Sequence, residues 1–201
     1  MNKHYRLLVG MLLTAASGLA SASDQNLFGN GDFSTANGIT GWTAFPPPNG
    51  PMSWSTDDAL GNSGSGSLEL HNAGPDGGYL PAYVGTCFAV TPGAAYTIGG
   101  ESRLIPGASP ILYFDYCAAY VAPNCVGANT GGINVPTIPQ SYTWTVWVPS
   151  SGILPADASS VRCEFGLFDY MEYSAGARID NLFFNSAAPT TPVKLQSFEV
   201  R

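Results

Sequence analysis

Apolar side chains along this chain recur mostly at every second position, and Gly, Pro, Asn and Asp interrupt the runs at short intervals. A period of two sends successive side chains to opposite faces of an extended backbone, so the pattern predicts half-buried strands rather than helices. The expected strands are Leu27 to Ser34, Gly41 to Phe45, Met52 to Ser55, Ser67 to His71, Tyr83 to Val90, Ala95 to Leu104, Ile111 to Tyr120, Tyr142 to Val148, Ser160 to Asp169 and Ala177 to Phe184. Val90-Thr91-Pro92-Gly93 reads as a turn, because Pro presets one φ and Gly tolerates a positive one. With 24 Gly and 16 Pro, and no capped helical stripe after the leader, the chain reads as all-β.

Alternation also sorts side chains by face. Leu112, Phe114 and Tyr116 suit the core, which sends Tyr113, Asp115 and Cys117 outward. Tyr96 and Ile98 point in, with Glu101 and Arg103 out. Val161, Cys163, Phe165 and Leu167 point in, with Arg162, Glu164 and Phe168 out. Leu68 and Leu70 point in, with Glu69 and His71 out. Trp42 follows a Gly turn and suits the core, as does Trp144, which shares its face with Val146 and Val148; Trp147 has the opposite parity. Trp54, together with Tyr79 and Tyr83 beside the Gly74-Pro75-Asp76-Gly77-Gly78 stretch, is a loop-borne stacking candidate, and Tyr170 and Tyr173 are weaker ones.

The first 22 residues place Lys3, His4 and Arg6 before an apolar run from Leu7 to Ala20 and then Ala20-Ser21-Ala22. That order is a secretory signal peptide, since a run of about 14 is short of the ~20 residues a membrane-spanning helix needs. The division expected is a signal peptide at 1–22, one sandwich domain at 23–186, and a Pro/Thr linker with a short C-terminal segment at 187–201. The mature chain is expected to be secreted or periplasmic, with no membrane-spanning segment.

Losing Lys3 and Arg6 leaves five basic residues against 14 acidic ones. A surface so negative repels phosphate backbones and excludes nucleic acid as the expected partner. His71 is the one histidine of the mature chain, which removes most zinc arrangements and leaves any Ser-His-Asp scheme dependent on it. Cys87, Cys117, Cys125 and Cys163 all lie in the exported part, where two disulfides are expected.

NLFGNGDFS and GITGW near the start, GSLEL at 66–70, CFAVTPGAAYTIGGESRL at 87–104 and ARIDNLFF at 177–184 resemble the jelly-roll carbohydrate-binding modules of the family 4/9/22 type, within the galactose-binding-like β-sandwiches. The resemblance implies a two-sheet antiparallel jelly roll. It places the strands around 27–34, 84–90, 142–148 and 178–184 in one sheet, and those around 67–71, 95–103, 111–120 and 160–169 in the other. The concave outer face of the second sheet would then be a sugar groove. Parity puts Glu69, Glu101, Arg103, Tyr113, Asp115, Arg162 and Glu164 on that face, beside Phe168. Arg and carboxylates suit paired sugar hydroxyls, and aromatic rings suit their C–H faces; the alternative is a solvated face laced with ion pairs such as Arg103 with Asp115. The resemblance also implies a structural Ca2+ where first and last strands meet, held by Asp180 and Asp32, although Ser34 stands where the family has Glu.

Four cysteines allow three pairings. Cys117 ends a strand and Cys125 follows in the next loop, which favours that pair and leaves Cys87 with Cys163, against the parity of Cys87 relative to Phe88 and Val90. The expected function is a secreted, non-catalytic module that binds poly- or oligosaccharide. The alternatives are an adhesion or surface protein on the same fold without sugar recognition and a glycoside hydrolase. A hydrolase would need a carboxylate pair drawn from Glu101, Asp115 and Glu164, two of which have Arg neighbours by parity.

Overall fold

The computed structural model describes residues 26–45, 52–71, 82–106, 110–169 and 176–187. Eleven strands are described: β1 (Thr43–Phe45), β2 (Met52–Ser55), β3 (Ser67–His71), β4 (Ala82–Ala89), β5 (Ala95–Ile105), β6 (Pro110–Tyr120), β7 (Asn129–Gly132), β8 (Thr145–Val146), β9 (Ser150–Ile153), β10 (Ser160–Asp169) and β11 (Gly176–Ala187). All pairings are antiparallel. One sheet runs β1-β4-β10-β6-β7. The other runs β2-β3-β11-β5, and β8 and β9 pair with different stretches of the free edge of β5. The result is a two-sheet all-β sandwich, as the alternation predicts.

The division of strands between sheets differs from expectation. β3 and β5 flank β11 in the six-stranded sheet, whereas β6 and β10 join β4 in the five-stranded one, with β10 between β4 and β6. Residues 27–34 form no strand. Asn26 alone bridges to Asn185, Leu27 N donates to Phe184 O at 2.9 Å, and the following residues turn repeatedly. This segment acts as a plug: Phe28, Phe33 and Trp42 are buried, and their rings stack within 5.9 Å of one another or of Phe165. Gly31 is required here, since a Cβ would lie 1.9 Å from Leu182 O. Strands β7 and β9 lie in Gly- and Ser-bearing segments too weakly apolar to register as periodic.

Tryptophan parity is reversed in β8. Trp147 is 1% exposed, its indole N–H donates to Ser102 Oγ at 2.8 Å, and its ring lies 5.5 Å from Phe114. Trp144, Val146 and Val148 face outward instead. A two-residue strand with irregular flanks does not carry alternation far enough to fix which set is inside.

A β-bulge decides the register of β6. Glu164 faces Tyr116 while Phe165 faces Phe114, so Asp115 is the extra residue and every side chain after it changes face. Cys117 therefore points inward, opposite Cys163, and the two form a disulfide; Cys87 points outward and is bonded to Cys125. Both bonds correct the expected Cys117 with Cys125 and Cys87 with Cys163, because those pairings assumed Cys117 on the outer face.

Candidate ligand-binding face

The charged face expected from parity is divided between the two sides of the sandwich. Glu69, Glu101 and Arg103 lie on the six-stranded sheet, and Tyr113, Asp115, Arg162 and Glu164 on the five-stranded one. The Arg103 with Asp115 pair of the alternative reading is thereby excluded, since β5 and β6 lie in different sheets.

The outer face of the five-stranded sheet is built in rows across β4, β10 and β6. One row is Tyr83, Gly166 and Tyr113; the next is Gly85, Glu164 and Tyr116; a third is Cys87, Arg162 and Ala118. The glycines are what make the face a platform. A Cβ at Gly166 would lie 2.4 Å from Tyr113 Cζ, so the phenol ring lies across that backbone, and a Cβ at Gly85 would lie 2.7 Å from Glu164 Cγ. Tyr116 donates its hydroxyl to Glu164 Oε1 at 2.7 Å, Arg162 forms an ion pair with the same carboxylate oxygen, and the guanidinium sits 5.9 Å from the Tyr116 ring centre. Burial, then a hydrogen bond with Tyr83, raises the Tyr113 phenol above its ordinary range; burial, then the bond to Glu164, does the same for Tyr116. Both remain neutral hydroxyls near neutral pH. Asp115 is raised by burial and then by the charge of Glu164. Half-buried rings beside an Arg and two acids can stack on apolar ring faces and exchange hydrogen bonds with hydroxyl groups.

Sequence reasoning missed Tyr116 and placed Tyr83 beside a loop. The bulge hides the first, because Leu112, Phe114 and Tyr116 continue one apolar alternation straight through Asp115, with nothing in the sequence to mark the extra residue. Tyr83 lies within β4.

On the opposite side, charges are paired in a chain. His71 meets Glu69, Glu69 accepts from Arg178 Nε at 2.5 Å, Arg178 and Arg103 share Asp57, and Arg103 lies 5.5 Å from the Trp144 ring centre. Although burial opposes it, the bonds from His71 and Arg178 hold Glu69 below the usual carboxylate range. Glu101 accepts from Asn181 Nδ2 at 3.0 Å. The other charged groups named on this face are thus paired with one another, although Arg103 Nε has no hydrogen-bond partner among the described residues. Trp54 lies in β2 and is used in packing: its indole donates to Phe33 O at 2.8 Å and its ring fills the space a Gly66 side chain would need. Tyr79, Tyr170 and Tyr173 lie outside the described residues, as do the leader and the C-terminal segment.

The two acids expected to hold Ca2+ differ in setting. Asp180 is fully buried, with Oδ2 accepting from Ala59 N at 2.8 Å and Oδ1 from Asn181 N at 2.7 Å, whereas Asp32 is exposed. Burial first, then the charges of Asp58 and Glu101, push the Asp180 carboxyl up to about 7. Ser34 closes a local turn, accepting from Asn37. Among the described residues no three His, Cys, Asp or Glu side chains gather as a metal site. Both Asp180 oxygens are already taken by backbone N–H groups and Asp32 is exposed, so these two acids alone do not supply the six to eight oxygens Ca2+ takes, and no role is derived from the ion.

No protein-family model and no curated protein sequence matches the chain. Among solved structures, the enzymatically active domain of tailspike protein 4 from bacteriophage CBA120 superposes with a TM-score of 0.60 at 16% identity, over 80% of this chain and 21% of that one. A family 61 carbohydrate-binding module, solved with beta-1,4-galactotriose, gives 0.50 at 10% identity over 81% of this chain and 99% of the module. A family 4 module gives 0.50 at 14% identity, over 78% and 97%. These likenesses show the fold, a two-sheet antiparallel β-sandwich of the kind those modules have. This chain spans about a fifth of the tailspike domain it resembles, but nearly all of each isolated module.

Proposed function

We propose that this chain is an exported, non-catalytic module that binds neutral glycan on the outer face of the five-stranded sheet. The observation that carries this reading is the tyrosine platform: Tyr83 and Tyr113 flank Gly166, and Tyr116 lies one row on, joined to Glu164 and Arg162. Sugar C–H faces stack on the rings, while Arg162, Glu164, Asp115 and the phenol hydroxyls exchange hydrogen bonds with ring hydroxyls. Two disulfides support export to an oxidising compartment, in keeping with the leader read at 1–22.

The test is a pull-down on insoluble polysaccharides with a small glycan array, comparing wild type with Tyr113→Ala, Tyr116→Ala and Trp144→Ala. Removing either tyrosine should weaken binding on the order of tenfold or more, about 1.4 kcal/mol or greater. Trp144→Ala, on the opposite face, should bind as wild type. Binding to no glycan, or equal loss in all three variants, would sink the proposal.

A catalytic reading rests on Asp115 and Glu164 as two carboxylates on one face, with the Asp115 carboxyl raised by burial and then by the charge of Glu164. Reducing sugar released steadily from a bound polysaccharide, and abolished by Asp115→Asn, would replace the binding reading with that one.

A further inference from the structure

Residues 121–128 leave the end of β6 and cross the outer face of the five-stranded sheet. Ser160, the first residue of β10, donates its hydroxyl to Ala122 O at 2.6 Å and accepts from Cys125 N at 3.0 Å. Beyond that point Cys125, in the left-handed region at φ 52°, reaches Cys87 on β4. β6 and β4 are the two neighbours of β10, so the segment is a strap across the full width of the central strand. It is tied by a side-chain bond in the middle and a disulfide at its tip. The platform is therefore blocked at the end of the sheet where β10 begins.

Under the tip of the strap lies a cavity of about 320 Å³, lined by Thr43, Thr86, Cys87, Asn124, Cys125 and Arg162 over a Gly85 floor. That volume is at the small end of the ~300–1,000 Å³ of small-molecule sites. Its walls differ from the platform in chemistry. No aromatic ring lines it; instead it has hydroxyls, an amide and a guanidinium around the apolar disulfide. Thr86 donates to Gly41 O at 2.8 Å, which leaves its oxygen free to accept. Arg162 is ion-paired with Glu164, so the cavity has donors without a strong net positive charge.

We infer that this cavity is a subsite for a single terminal, uncharged sugar unit, either the end of a linear chain or a one-unit branch, with the adjoining units on the tyrosine platform. The inference rests on the glycan-binding reading. A polar cavity that is half open to solvent but closed on one side by the strap distinguishes a terminal unit from an internal one, whose chain would have to continue through the strap. The strap supplies the wall that makes the difference.

The experiment titrates wild type and Thr43→Trp with linear xylo-, galacto- and gluco-oligosaccharides of two to six units and with singly branched polysaccharides before and after exo-glycosidase trimming. Thr43 is an exposed edge-strand position facing the cavity, so a bulky side chain there fills the space without entering the core. The expected result is affinity that levels off at about three units, or that falls at least tenfold when branches are trimmed. The two patterns identify a chain end and a branch end respectively. Thr43→Trp should lose at least tenfold in affinity with an unchanged melting temperature. If wild type binds polysaccharide through Tyr113 but neither trimming, chain length nor Thr43→Trp alters affinity, the subsite is refuted while the platform stands. If wild type binds no glycan at all, both readings fall together.

Discussion

Asp180 is the residue where local electrostatics bears most directly on stability. A fully buried carboxyl pushed up to about 7 keeps its proton in the folded chain at pH values where the unfolded chain, near the ordinary 3.8, has released it. Folding then binds more protons than unfolding across that window, so this residue's contribution falls as pH rises from about 4 to about 7 and is level above it. The cost at neutral pH is at most on the order of 4 kcal/mol. Asp180→Asn should remove the slope, while leaving one of the two backbone N–H donors facing an amide nitrogen, at a cost of about 1 kcal/mol. Urea unfolding of both forms in EDTA at pH 4, 5.5 and 7 checks this; a stability difference independent of pH would contradict it. That Asp180 would be special was legible from the RIDN motif, but its burial and its neighbour Asp58, 122 positions earlier, were not, because they depend on how a distant loop folds over the strand end.

At the scale of elements, strands with regular alternation match their expected bounds, the four-residue β2 among them, while the longest, β11, starts one residue earlier and ends three later than expected. β3, β5, β6 and β10 fall within a residue of expectation because each carries several periods of alternation. β8 carries one, and its parity came out inverted. The inversion has a measurable consequence. Trp147→Ala should cost about 3–5 kcal/mol as a core truncation next to Phe114 and Phe165, whereas Trp144→Ala should cost less than about 1 kcal/mol as loss of a half-exposed stacking contact with Arg103. Chemical denaturation of the two variants would separate them. The bulge at Asp115 has a larger effect from a single residue. It turns Tyr116 from a core side chain into a platform residue and sends Cys117 inward, so one unreadable insertion explains both the missed site residue and the mistaken disulfides.

For the whole molecule, the resemblance carried the two-sheet architecture but not the distribution of strands between sheets, since the motifs lie in turns and end strands that look alike in either arrangement. The candidate site was accordingly legible in its residue types and not in its grouping. Tyr113, Asp115, Arg162 and Glu164 do share a face, while Glu69, Glu101 and Arg103 belong to a self-paired network behind it. Mass mapping of an unreduced digest should yield Cys87 linked to Cys125 and Cys117 linked to Cys163; a Cys117 to Cys125 peptide would require β6 to lack its bulge and would return Tyr116 to the core.

The bridge between Asn26 and Asn185 brings the first described residue beside the last strand, so the polypeptide comes into the sandwich and goes out of it at one pole. Tension applied between these two points would load that junction and the end of β11, where Ala187 pairs with Ala95 of β5, and would bypass the five-stranded sheet. It would peel the plug segment from β11 one contact at a time before any row of the tyrosine platform carried load. A particle bound to the platform could be dragged in flow without its own attachment surface being sheared.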